Sequence, residues 1–168
     1  KLSEETGEIE RIGNIFVNIG ASYQELKNRE MALMYYSKAL PMLIESDNKY
    51  GLSNCYANIG GIHIEKKTLS EAENNFTKSR KIYEELGDTL GISRSFYSLG
   101  MICNERKMYH KALEYFFAAL KLGRQLNDKS WVAEYLLSIG TIYQKMGNYE
   151  NSINFLNQGL VLAIELSS

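Results

Sequence analysis

Apolar side chains return along the chain at the spacing of a helix rather than a strand. Phe16, Ile19, Gly20 and Tyr23 stand at i, i+3, i+4 and i+7, and Ala32, Tyr36, Ala39 and Leu43 form a second stripe of the same kind. Each stripe predicts one buried face of an amphipathic helix, and strand-like alternation is nowhere sustained. Both stripes recur at an interval of 40 residues. Asn18-Ile-Gly20, Asn58-Ile-Gly60, Ser98-Leu-Gly100 and Ser138-Ile-Gly140 share one register, as do Ala32, Ala72, Ala112 and Ser152, and the large residues Tyr36, Phe76, Phe116 and Leu156. A fixed period of this length marks stacked supersecondary units. Four of them follow, at about 8–47, 48–87, 88–127 and 128–168.

Helix-starting residues fall at matching places. Asn48, Asp88 and Asp128 precede the first helix of the last three units, and Asn28, Thr68 and Asn148 precede the second helix in three units of four. Thr68-Leu-Ser-Glu71 has the form of a capping box. The turn inside a unit is then very short, which forces its two helices to run antiparallel.

A glycine in a helix interior costs about 1 kcal/mol relative to alanine. The recurring Gly20, Gly60, Gly100 and Gly140 are therefore expected to permit close approach of the partner helix, with Ala32, Ala72 and Ala112 as the matching small surface. Gly61, whose counterparts are Ala21, Met101 and Thr141, has no such explanation. Pro41, the single proline, lies well inside its helix and is expected to kink it by removing one donor.

The combination of Phe16, Ile19-Gly20, Tyr23, Ala32, Tyr36 and Ala39 resembles the tetratricopeptide repeat. His63 and Cys103 depart from it, standing where Tyr23 and Tyr143 sit in the other units. The long 40-residue period is similar to that of bacterial peptide-sensing regulators of the Rap type, kinesin light chains and cell-polarity adaptors. The resemblance implies an all-α fold, a right-handed α-solenoid of four helix-turn-helix hairpins in a single domain over 1–168, with a concave groove lined by the first helices and no chemistry intrinsic to the repeat. The domain is expected to be a piece of a longer chain.

At about 100° per residue, Asn18, Ala21 and Glu25 fall within about 40° of Asn14, while the apolar stripe of the same helix centres near 190°. Carried through the repeats, this opposite face holds Asn54, Asn58, Gly61 and Glu65, then Arg94, Ser98, Met101 and Glu105, then Glu134, Ser138, Thr141 and Lys145. It contains no Leu, Ile, Val or aromatic residue. Asparagine is a poor helix former, so its repetition there asks for a reason, although a merely solvated face would also tolerate it. The resemblance implies that Asn14, Asn18, Asn54 and Asn58 grip the backbone of an extended peptide, with Arg94, Tyr97, Ser98, Glu134 and Ser138 completing the concave site. Tyr97 and Trp131 are expected beside that face, Trp131 packed against the preceding unit. Glu25, Glu65 and Glu105 form a column expected to be neutralised by Lys27, by Lys66 and Lys67, and by Arg106 and Lys107.

Composition narrows the partner. With 45% hydrophobic and 23% charged residues, the chain has the balance of a folded domain. Lys plus Arg number 19 against 20 Asp plus Glu, with no like-charge block, which speaks against a nucleic-acid surface. No apolar run approaches the roughly 18 residues of a membrane-spanning helix. No phosphate loop, zinc-protease or nucleophile-elbow motif is present, so no enzyme activity and no cofactor are expected. His63, Cys55 and Cys103 make too sparse a set for a metal site and are expected as packed core residues, with His110 at the surface.

The partner expected is a peptide or protein segment. The alternative is a sensory or autoinhibitory region of a larger bacterial signalling regulator, such as a histidine kinase, cyclase or transcription factor. The setting expected is cytoplasmic, or periplasmic if the array belongs to a membrane-bound sensor. Leu160, Val161, Leu162, Ile164 and Leu166 leave the last helix with an apolar end, where a homodimer contact or further repeats would pack.

Overall fold

The computed structural model describes residues 2–167, with side chains from Glu5 onward. All of the regular elements among them are α-helices: α1 (Leu2–Glu25), α2 (Arg29–Glu45), α3 (Lys49–Glu65), α4 (Leu69–Leu86), α5 (Thr89–Glu105), α6 (Tyr109–Gln125), α7 (Lys129–Lys145) and α8 (Tyr149–Ser167). They pair as consecutive antiparallel hairpins, α1 with α2, α3 with α4, α5 with α6 and α7 with α8. Packing divides the chain into two compact units, Lys1–Gly87 and Asp88–Ser168, each made of two hairpins.

The helix starts follow the side chains that the sequence offers. Asn48 accepts from the Gly51 N–H at 2.8 Å, Asp88 from Gly91 at 3.0 Å and Asp128 from Trp131 at 3.1 Å, so α3, α5 and α7 are capped as expected. Asn28 and Asn148 cap α2 and α8 in the same way. Thr68 does not cap α4. Its hydroxyl lies 2.7 Å from Nδ1 of His63 and also reaches the His63 carbonyl, so the capping box is not formed.

Helix ends share one device. Lys27, Asp47, Lys67, Gly87, Lys107, Asn127 and Gly147 all have positive φ, between 50° and 77°. In six of these turns, all but that of Gly87, the following N–H returns to the carbonyl five residues back, as Asn28 does to Tyr23 at 2.9 Å and Met108 to Cys103 at 2.8 Å. Only two of these positions carry the glycine that would adopt this conformation without strain, which is why the ends are hard to see in the sequence. Pro41 leaves α2 continuous from Arg29 to Glu45.

Each unit has its own core. In the first, Ala32, Tyr36, Ala39 and Leu43 of α2 pack with Cys55, Ile59 and Ile62 of α3. In the second, Ala112, Phe116, Ala119 and Leu120 of α6 pack with Val132, Tyr135, Leu136, Ile139 and Ile142 of α7. The recurring glycines do admit a close neighbour, but not the one expected. A Cβ on Gly20 would lie 2.7 Å from the Tyr36 ring, on Gly60 2.8 Å from Phe76, on Gly100 2.5 Å from Phe116 and on Gly140 2.7 Å from Leu156. The large residue four positions beyond each small one fills the space, because only a long side chain spans the gap between helix axes 8–10 Å apart. Gly61 is different: its nearest neighbour would be Nε2 of Gln24 at 3.8 Å.

Candidate functional site

In the first unit the polar face runs along α1 and α3. Asn14 accepts from Nδ2 of Asn48 at 3.2 Å, and the same nitrogen reaches Glu10 at 3.1 Å. Asn54 accepts from the Tyr83 hydroxyl at 2.7 Å. The Tyr36 hydroxyl donates to Oε1 of Gln24 at 3.0 Å and takes a hydrogen bond from Asn58. Burial, and after it the neighbouring Cys55, hold that hydroxyl up at about 12, with the bond from Asn58 opposing. Asn18 is exposed. Three of the four asparagines are thus tied into the frame by one group each. An amide has both a donor and an acceptor end, so the N–H pair of Asn14 and of Asn54 is what each still has to offer.

In the second unit the equivalent positions on α5 and α7 build something less amide-like. The Tyr97 hydroxyl donates to Oε1 of Glu134 at 2.7 Å and accepts from Ser138 at 3.5 Å. Its ring sits 5.6 Å from Phe116, 6.0 Å from Trp131 and 5.3 Å from Tyr135, centroid to centroid. Burial pushes the Tyr97 hydroxyl up to about 12, with Ser138 opposing and Glu134 adding to the rise. Arg94 lies over the Trp131 ring at 5.1 Å, and Ser98 turns back to its own helix at the Arg94 carbonyl. Lys145 donates to Oδ1 of Asn104 at 2.8 Å. Between these two helices opens a cleft of about 260 Å³, floored by Phe116, Leu137 and Ile142 and edged by Tyr97, Glu134 and Ser138.

The structure therefore brings Tyr97, Glu134 and Ser138 together, and in the other unit places Asn14, Asn54 and Asn58 on adjoining helices. Trp131 packs on Tyr97 and Tyr135, as expected. Sequence reasoning missed Gln24, Tyr83, Asn104 and Leu137. Tyr83 was least visible, because its counterparts Leu43, Gly123 and Ala163 carry no hydroxyl.

Within the acidic column, Glu65 takes a partner that the expectation did not name. Glu65 pairs with Arg29 at 2.6 Å, at the start of the preceding helix, because antiparallel neighbours bring one helix's first residue beside the next helix's end. Lys49 with Glu85 and Lys129 with Glu165, each at 3.0 Å, repeat the arrangement. His63 is held by Thr68, Cys55 and Cys103 are buried, and burial raises the Cys55 thiol to about 12. Among the described residues no group of three or more His, Cys, Asp or Glu is placed to hold a metal ion. No helix among them is long and apolar enough to cross a membrane.

A family model described as tetratricopeptide repeat matches residues 11–85 and 91–164. No curated protein matches the sequence. Solved structures resemble it closely in fold. Aspartyl phosphate phosphatase F from Bacillus subtilis aligns with a TM-score of 0.89 at 19% identity, over 95% of this chain and 42% of that one. A Rap protein complexed with competence and sporulation factor gives 0.85 at 20% identity, over 96% and 45%. A signal transduction ATPase with a tetratricopeptide repeat sensor, from Pyrococcus horikoshii, gives 0.82 at 21%, over 96% and 25%. The chain thus spans less than half the length of each of these three. At these identities the likeness shows the fold, an all-α solenoid of helical hairpins.

Proposed function

This chain belongs to the tetratricopeptide repeat family, and we propose that it binds an extended peptide or protein segment along the polar faces of α1, α3, α5 and α7. The carrying observation is the arrangement of Asn14 and Asn54, each anchored through its oxygen and left with an N–H pair to offer a peptide carbonyl. A side chain already held in place loses little freedom on binding, so its hydrogen bond is retained rather than offset by ordering. The Rap neighbour solved with competence and sporulation factor supports a peptide as the ligand class. Asn18, Asn58, Arg94, Tyr97, Ser98, Glu134 and Ser138 complete the proposed site. The chain contributes recognition and no catalysis.

The test selects peptides from a random library against the chain, then measures their affinity for a variant with Asn14, Asn18, Asn54 and Asn58 all changed to Ala. With helicity unchanged by circular dichroism, affinity should fall at least tenfold, since two or three lost hydrogen bonds of about 0.5–1.5 kcal/mol each suffice. Unchanged affinity would move the site elsewhere.

A second reading makes the array the sensory or autoinhibitory part of a larger regulator. The neighbour whose repeats form its sensor favours it. On this reading, the selected peptide alters the activity of an effector joined to the array, whereas a plain scaffold leaves it unchanged.

A further inference from the structure

Within the second unit, the cleft between α5 and α7 has ends of opposite charge. At one end the Tyr97 hydroxyl donates to Oε1 of Glu134 at 2.7 Å, which occupies one oxygen of an exposed carboxylate and leaves the other. At the far end Nζ of Lys145 donates to Oδ1 of Asn104 at 2.8 Å. An ammonium has three protons and an amide its own N–H pair, so donors remain there after that bond is made. Each charge is thus held in place by a neutral group and not by its opposite.

Between the ends the cleft is apolar. Phe116 and Ile142 are 1% and 0% exposed, with Met101 and Leu137 half-buried beside them. Both charged ends are peculiar to this pair of helices. Glu134 stands where the other repeats have Asn14, Asn54 and Arg94, and Lys145 where they have Glu25, Glu65 and Glu105.

Size and span describe the occupant. At about 260 Å³ the cleft is smaller than the roughly 300–1,000 Å³ that encloses a drug-sized ligand, so it suits one side chain better than a whole small molecule. Asn104 lies two helical turns beyond Tyr97, about 10 Å along the axis, which is the reach of about three residues of extended chain. A segment with the wrong charge at either end is repelled there, and an apolar residue between the ends covers the floor.

We propose, resting on the peptide reading above, that this cleft selects which segment is bound: one large apolar side chain on the floor, a cationic group on one side of it at Glu134, and a carboxylate on the other side at Lys145 and Asn104. The floor supplies affinity, and the two charges at its exposed rim supply discrimination between sequences.

An array of acetylated, amidated heptapeptides, randomised at the central three positions and serine elsewhere, tests this by titration with the full chain. The tightest binders should carry a large apolar residue flanked by one Lys or Arg and one Asp or Glu. Changing that apolar residue to Ala should weaken binding about tenfold. Glu134→Gln should weaken only peptides that keep the cation, and Lys145→Gln only those that keep the carboxylate, each by about threefold, as for an exposed ion pair. Thr141→Trp, at an exposed position on the cleft's edge, should remove the preference for the apolar residue while circular dichroism is unchanged. Binders that show no apolar preference, or that ignore both charge variants, overturn the assignment. So does an array in which nothing exceeds the all-serine peptide. Segments selected from the random library that still weaken when the four asparagines are changed would, in any of these cases, leave the peptide reading standing without this cleft.

Discussion

The two units use one frame and present different chemistry at the same repeat positions. Along α1 and α3 the polar face carries carboxamides anchored by Asn48, Tyr83 and Tyr36, and beside them Gly61 leaves open space. Along α5 and α7 the equivalent positions carry Arg94 over Trp131 and a Tyr97–Glu134–Ser138 chain above an apolar cleft. Glycine-admitted rings and asparagine or aspartate caps, in contrast, recur in both. The frame is held by residues that face the partner helix, so residues that face away are free to differ. On the proposed reading, that freedom lets one half address a peptide backbone and the other a side chain.

The largest break in the comparison comes from the frame. Gly100→Leu puts a side chain where a bare Cβ would already stand 2.5 Å from the Phe116 ring, and should cost about 3 kcal/mol in urea denaturation. A cost under about 1 kcal/mol would mean that the hairpin yields easily and the glycines are not structural. Next is alkaline pH. The hydroxyls of Tyr36 and Tyr97 are raised from 10.0 to about 12, and the Cys55 thiol from 9.0 to about 12. Groups raised in the folded state keep their contribution below the unfolded value and lose it above, so stability should decline from about pH 9 and fall steeply between about 10 and 12. Tyrosinate absorbance checks this: Tyr36 and Tyr97 should ionise only as the fold is lost, so part of the absorbance rise should coincide with the loss of circular dichroism.

Smaller effects separate the two faces. Tyr97→Phe removes the donor to Glu134 and should cost about 1 kcal/mol while leaving the ring packing intact. It should also weaken binding of peptides with an apolar anchor more than of those without one, as read by a binding titration. Gly61→Ala is expected to stabilise by up to about 1 kcal/mol, because its Cβ meets nothing closer than 3.8 Å. If stability rises and peptide affinity falls, the open space belongs to the ligand; if both rise, it does not.

The fold was legible because its signal is repeated. A stripe at 3.6-residue spacing could be misjudged once, but four copies in one register could not. The polar face was legible for the same reason, as its angular position follows from helix geometry alone. What escaped were contacts between unlike columns. Tyr83 reaches Asn54 from a position occupied by Leu43, Gly123 and Ala163 elsewhere, and Thr68 turns from its cap to His63, a residue that only the second repeat has. The large side chain that fills each glycine's gap was in plain view, but a small residue at matching spacing was the more obvious partner.

Six turns close on themselves: Asn28, Asn48, Thr68, Met108, Asp128 and Asn148 each return their N–H to a carbonyl five residues back, and none borrows a backbone partner from another turn for that bond. A crossover that cut one such turn and rejoined it to another of the six lying 40 residues on, as Asn28 to Thr68 or Thr68 to Met108, would therefore find every terminating bond already provided for. Growth or loss by whole repeats is a small genetic step for this chain, whereas any other length of insertion would drive a helix interior into a place built to turn.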